Sequence, residues 1–167
     1  MPHPTLGTTL FNLAGVTHHL RSKSEPLRPT TPTAFFIEKG HVMEILDAGR
    51  HSRRIVALFF GPGEFAIPCH PLSELVSLDE VKGNTFTHGV IFQTLRKFSE
   101  SHIHYREMRK LYHEKVAARI HCLQTMTDVQ RYNNMVASQP WILKLAKPED
   151  IASYLRISVD LLRELRK

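Results

Sequence analysis

Cysteine is nearly absent. Cys69 and Cys122, the only two in 167 residues, lie far apart in dissimilar surroundings, which leaves neither a disulfide framework nor the four thiolates of an iron–sulfur cluster or four-cysteine zinc site. No apolar run approaches the ~20 residues that cross a bilayer. The start, Met-Pro-His-Pro-Thr-Leu-Gly7, lacks the basic segment and apolar core of an export signal. The cytoplasm is the expected location. A phosphate-cradling glycine loop, paired catalytic carboxylates and a Ser-His-Asp set are also missing, so the chain is not read as an enzyme.

The eleven histidines lack the spacing of metal ligands. His18 and His19 are adjacent, His102 and His104 diverge on a helix, and His113 and His121 have no acidic partner in step. No metal site is expected and no cofactor is identified. Cys69-His70 offers poor geometry for a nucleophile and its base, since adjacent side chains in an extended loop point to opposite sides. What the chain does have is 42% hydrophobic residues, enough for a core, and a formal charge of +6. That charge favours an acidic partner, with nucleic acid the first candidate.

Leu6, Leu10, Leu13, Val16 and Leu20 have helical spacing, interrupted by Gly7 and Gly15, and predict a short helix over 6–20. Residues 21–33 carry Pro26, Pro29 and Pro32 and predict an extended crossing. From Ala34 the period becomes that of strands, with turns expected near Lys39-Gly40 and at Asp47-Ala-Gly49. Ile55–Phe60 is continuously apolar, which predicts burial on both faces. Gly61-Pro-Gly-Glu-Phe65 must turn sharply, further strands are expected at 74–81 and 84–92, and a brief helix at 93–98.

From about Ser101 the helical period returns. Tyr105, Met108, Tyr112, Val116, Ile120, Leu123 and Met126 are spaced three or four apart. A helix of about 25 residues is roughly 38 Å long, more than a small sheet domain covers. The stripe therefore pairs with a second copy of itself or packs on its own domain; the first is the more economical reading, with Met108, Tyr112, Val116, Ile120 and Leu123 on the seam. Thr127-Asp-Val-Gln130 fits a capping box opening a new helix.

The last stretch is the most specific. Pro148 suits a first helical turn, with Glu149 and Asp150 at its positive end. Ile151, Ala152 and Leu155 share one face, Ser158 reads as a fresh N-cap, and Leu162 and Leu165 form a second inward face. This is the pattern of a helix-turn-helix, with its turn at Arg156 to Ser158.

Arg131-Tyr132, Pro140, Ile151-Ala-Ser-Tyr-Leu155 and Ile157-Ser158, with Phe36-Ile-Glu-Lys-Gly-His-Val42 and Phe60-Gly-Pro-Gly-Glu-Phe65 further upstream, resemble the Crp/Fnr family of transcriptional regulators. The resemblance implies an α+β chain. Its parts would be an antiparallel β-roll of the cyclic-nucleotide-binding jelly-roll type (1–100), a dimerisation helix (101–126) and a small helix-turn-helix domain (127–167) with no wing after Lys167. It implies a homodimeric DNA-binding regulator, with RNA polymerase as a further partner. Bases would be contacted through Ser158, Val159, Asp160, Arg163 and Glu164, and phosphates through Arg166 and Lys167. Glu164 stands where the family places a base-reading arginine, and Arg156 where it places a turn glycine. Gly63 and Glu64 match half of the family's nucleotide-binding set. The arginine-bearing other half has no counterpart, since no arginine occurs between 55 and 95, so cyclic AMP is not the expected ligand. The alternative is a degenerate relative, a dimeric sensor or protein-interaction module that no longer reads DNA.

Overall fold

The computed structural model of the protein describes residues 17–21, 26–27, 33–46, 54–68 and 73–167. Eight strands come first: β1 (Thr17–Arg21), β2 (Pro26–Leu27), β3 (Thr33–Lys39), β4 (Val42–Leu46), β5 (Ile55–Phe60), β6 (Phe65–Ala66), β7 (Ser73–Ser77) and β8 (Val81–Thr87). They form two four-stranded antiparallel sheets, in the orders β1-β8-β3-β6 and β2-β7-β4-β5. Phe35 and Ile37 of the first sheet and Val42, Leu58, Phe60 and Leu75 of the second meet in one core cluster. This is the expected β-roll.

Two glycines make its turns possible. Gly40 links β3 to β4 at φ 89°, where a Cβ would lie 2.4 Å from the Glu80 carbonyl; a side chain there is excluded by both strain and space. Gly63, at φ 84°, sits in the β5–β6 turn and donates its N–H to the Ile37 carbonyl.

Strand β5 explains its own apolar run. Its pairing with β4 is regular from Phe60 to Leu58, then slips so that Val56 and not Ala57 faces Ile45. The bulge reverses the alternation. Leu58 and Phe60 point into the roll, while Val56 and Phe59 both point to the opposite face. All four are buried, as the continuous apolar run predicted.

The helices are α1 (His88–Lys97), α2 (Ser101–Thr125), α3 (Asp128–Ser138), α4 (Ile142–Leu145), α5 (Pro148–Leu155) and α6 (Val159–Leu165). The strand expected to reach Phe92 stops at Thr87, whose hydroxyl accepts the Val90 N–H and starts α1. The brief helix at 93–98 is therefore the second half of a longer one. The capping box at Thr127 is present in both directions: Gln130 N–H to Thr127 Oγ1 at 3.3 Å, and Thr127 N–H to Gln130 Oε1 at 2.9 Å.

Residues 17–20, expected in a helix, lie instead in β1 along the open edge of β8, with Thr17 opposite Thr85. Sheet pairing overrides a helical spacing that two glycines already weaken. The rest of that expected helix, the turn at Asp47–Gly49 and the Cys69-His70 pair lie outside the described residues. No helix among the described residues is long and apolar enough to cross a membrane.

Helix α2 lays Tyr105, Met108, Tyr112 and Val116 on the roll. Tyr112 stacks on Phe60, with ring centres 6.3 Å apart and planes 12° from parallel, and donates its hydroxyl to Glu44 at 3.4 Å. Met108 and Tyr112, expected on a dimer seam, are only 3% and 7% exposed within a single chain. They have no surface left for a partner helix, because the aromatic wall of the roll reaches them first. Val116 is partly buried against the same wall, and Leu123 is partly buried too. On α2 the apolar side chains left most exposed are Ile103, Leu111 and Ile120.

Candidate nucleic-acid interface

Helices α5 and α6 fold around Ile151, Ala152, Leu155 and Leu162, all buried and packed with Met135 of α3 and Ile142 of α4. The cluster does not end at the helices. Met43, Ile45, Val56, Phe59, Val76 and Leu78 of the roll belong to it, so the helical segment shares a core with the sheet.

The turn between α5 and α6 is built by backbone and one guanidinium. Arg156 takes the left-handed conformation (φ 57°, ψ 44°), the only non-glycine residue with positive φ among those described. This closes α5 with bonds from Arg156 N–H to Ser153 O and from Ile157 N–H to Ala152 O, the Schellman pattern usually given to glycine. Arginine there carries strain of about 1 kcal/mol. Arg131, from α3, clamps the arrangement: its Nε donates to the Leu155 carbonyl at 2.8 Å, one Nη donates to Met126 O at 2.7 Å, and the other pairs with Asp128. Arg131 thus ties the turn to the end of α2, which gives the Arg131-Tyr132 pair a structural meaning.

Ser158 caps α6 as expected, accepting the Leu161 N–H at 3.1 Å. Asp160, Arg163 and Glu164 are exposed on the outward side of α6, and Arg166 and Lys167, just past its end, are exposed as well. Arg163 and Asp160 pair at 2.7 Å, with side chains 70% and 86% exposed. An ion pair so open is worth little and breaks readily, so both groups are available to a ligand. Val159 differs from expectation. It is half-buried against the shared core and not turned outward, because the first turn of α6 leans on the hydrophobic cluster.

At the start of α5, Asp150 is buried beside Arg54 of the roll, 4.0 Å away. Burial raises its pKa above the ordinary carboxylate value, opposed by the Arg54 and Lys147 charges. The sequence marked Asp150 only as a first-turn acid; its burial beside Arg54 had no signal, since that partner is some hundred residues distant.

Gly63 and Glu64 are brought together in the β5–β6 turn, but Glu64 is already engaged. One carboxylate oxygen accepts the Gly61 N–H at 2.6 Å; the other accepts Lys115 of α2 at 2.5 Å. The Lys115 ammonium also lies 4.9 Å above the Phe60 ring. Desolvation lowers the pKa of Lys115, against the opposing pull of Glu64. The long helix occupies the carboxylate that the sequence offered to a ligand.

No protein-family model matches the chain, and no curated protein matches its sequence. Solved structures do. FixK2 from Bradyrhizobium japonicum superposes with a TM-score of 0.72 at 14% identity, over 90% of this chain and 82% of that one. A transcriptional regulator assigned to the Crp/Fnr family from Eubacterium rectale gives 0.72 at 9%, over 95% and 81%. A cyclic nucleotide-binding domain-containing protein from Listeria monocytogenes gives 0.70 at 12%, over 96% and 88%. At such identities the similarity is one of fold: the chain has the Crp/Fnr fold.

Proposed function

We propose that the protein is a homodimeric DNA-binding transcription regulator of the Crp/Fnr type, and not an enzyme. The observation that carries this reading is the division of α6: Leu162 is fully buried, while Asp160, Arg163 and Glu164 are exposed on its other side and Arg166 and Lys167 are exposed just past its end. A helix anchored on one side and polar on the other fits a major groove, where arginine reads guanine and a carboxylate accepts from cytosine. The formal charge of +6 supplies the attraction for phosphate. Arg166 and Lys167 are assigned to phosphates, and Ser158 to the cap of the reading helix.

The second copy is assigned to the side of α2 that the roll leaves open. Leu111, 53% exposed, replaces Met108 and Tyr112 on the seam and is followed seven residues later by the exposed Ala118, the repeat of a two-stranded coil. The roll is assigned to sensing, with a ligand other than cyclic AMP. RNA polymerase is the natural further partner of such a regulator, and the cytoplasm its place of action.

The test is selection of bound sequences from a random duplex pool at fixed, low salt, followed by gel shift with Arg163→Ala. Enrichment of a two-fold symmetric site, and its loss in the variant, is the expected result. Undetectable binding even to random duplex overturns the reading. It would favour the interaction-module alternative, to which the Asp160–Arg163 pair and Glu164 lend some support by lowering the positive charge of the reading face. Sizing of the wild type beside Leu111→Glu tests the dimer separately, a monomeric wild type being the failure.

A further inference from the structure

We propose that the junction between α5 and strand β5 sets the orientation of α6, so that the roll itself positions the DNA-reading helix. The inference rests on the DNA-binding reading above.

Strand β5 is the edge of its sheet. An edge strand presents unpaired N–H and C=O groups, and here α5 meets them with a side chain. The Val56 N–H donates to Ser153 Oγ at 3.0 Å, and the same hydroxyl donates to the Arg54 carbonyl at 3.2 Å. One serine thus stands in for a residue of a missing strand. The neighbouring residue fixes the angle about that point. Tyr154 meets Phe59 edge-on, with ring centres 4.9 Å apart and planes at 67°, and the Arg119 guanidinium of α2 covers the Tyr154 ring at 4.0 Å.

A third contact shares Phe59, whose ring also meets Trp141 edge-on with centres 6.0 Å apart. Trp141, just before α4, packs on the His41 ring at 4.2 Å, and His41 is held by Asp79 through both its N–H (2.6 Å) and its ring (2.8 Å). Contacts at Ser153, Tyr154 and Trp141 fix a rigid body. Because Ile157 N–H bonds back to Ala152 O, a tilt of α5 carries α6 with it. The junction leaves Asp160, Arg163 and Glu164 exposed, so the docked arrangement is the one presented to DNA.

Arg119 gives the junction a second role. It lies one turn beyond Lys115, which bonds Glu64 and covers Phe60. Consecutive residues of β5 therefore hold different bodies: Phe60 holds α2, Phe59 holds α5, and Arg119 bridges them. Any shift of α2 against the Glu64 turn reaches Tyr154 directly. Arg119 and Tyr154 are positioning residues, not base-contacting ones.

The test compares Tyr154→Ala, Arg119→Ala and Tyr154→Phe in the full chain. Two quantities are read: hydrogen exchange at the Val56 amide, which neither side chain touches, and affinity for the selected DNA site beside random duplex at the same salt. Both alanine variants should speed Val56 exchange by about tenfold or more while α3 amides stay protected. They should weaken the selected site about tenfold with random-duplex affinity much less affected, since that affinity comes from sequence-independent attraction to phosphate and not from base register. Tyr154→Phe should match wild type, because the ring face and edge remain. Unchanged Val56 exchange in both alanine variants overturns the proposal while leaving DNA binding standing. A wild-type chain that binds no duplex overturns the reading on which the proposal rests, and the proposal with it.

Discussion

The long helix α2 and the helix pair α5–α6 carry equally regular apolar stripes, yet the roll uses them differently. Around α5–α6 the stripe is consumed: Ile151, Ala152, Leu155 and Leu162 are all buried, and the outward side is left polar. On α2 the roll takes Met108 and Tyr112 and leaves Leu111 and Ile120 half exposed. A helix with spent apolar surface suits a hydrated polyanion. One with apolar surface to spare suits a second copy of itself. The same strand separates the two, through a bulge that turns Phe59 one way and Phe60 the other.

The largest effects should come from those two phenylalanines. Phe59→Ala and Phe60→Ala are each expected to lower unfolding free energy by about 3–5 kcal/mol in chemical denaturation, the cost of a large core cavity. They should differ in what loosens first: exchange of α3–α6 amides in the former and α2 amides in the latter. Identical exchange patterns would mean that the two faces of β5 are not independent supports.

Next is Arg131→Ala, expected to cost about 2–3 kcal/mol, because it strips the partner from the Leu155 and Met126 carbonyls and from Asp128. The loss should fall on the helix-turn-helix side, with the roll unchanged. A comparable loss from Lys115→Met, which removes the bond to Glu64, would show instead that α2 is the more heavily anchored of the two.

Arg156→Gly should stabilise by about 1 kcal/mol by relieving the left-handed strain, seen as a small rise in melting temperature. A fall would mean that the Arg156 side chain holds something its exposed position does not reveal.

The smallest effect is one of pH. Asp150 has a raised pKa in the folded chain, so its contribution is greatest below the ordinary carboxylate value and is lost as pH rises through the folded value. Asp150→Asn should therefore be the more stable protein at neutral pH, and its advantage should vanish on acidification. An advantage that grows toward acid would show that the Arg54 pair, and not burial, governs this end of the junction.

How much of this was legible follows from the range of each interaction. The capping box at Thr127, the cap at Ser158, Pro148 in a first turn and the inward face of α5–α6 depend on residues within four positions of one another, and all are in place. The β-roll strands were legible for the same reason. The failures lie mostly where distant chain intervenes, with residues 17–20 paired to β8 and Val159 leaning on a shared core; the exception is local, the Thr87 cap that ends a strand which apolar content alone would have continued. Of the candidate site, the exposed polar residues of α6 could be named from spacing. The partners of Asp150, Ser153 and Tyr154, and the capture of Glu64 by Lys115, could not.

The sequence by itself determined where α3, α5 and α6 start, which face of α5–α6 is apolar, and that the last two form a helix-turn-helix, because caps, turns and periodicity act over a few residues. Only the tertiary structure decided what covers each apolar face. Competition among surfaces far apart in the chain is settled by shape and by which partner is reached first: Tyr112 meets Phe60 before any second copy, and Ser153 meets the open edge of β5.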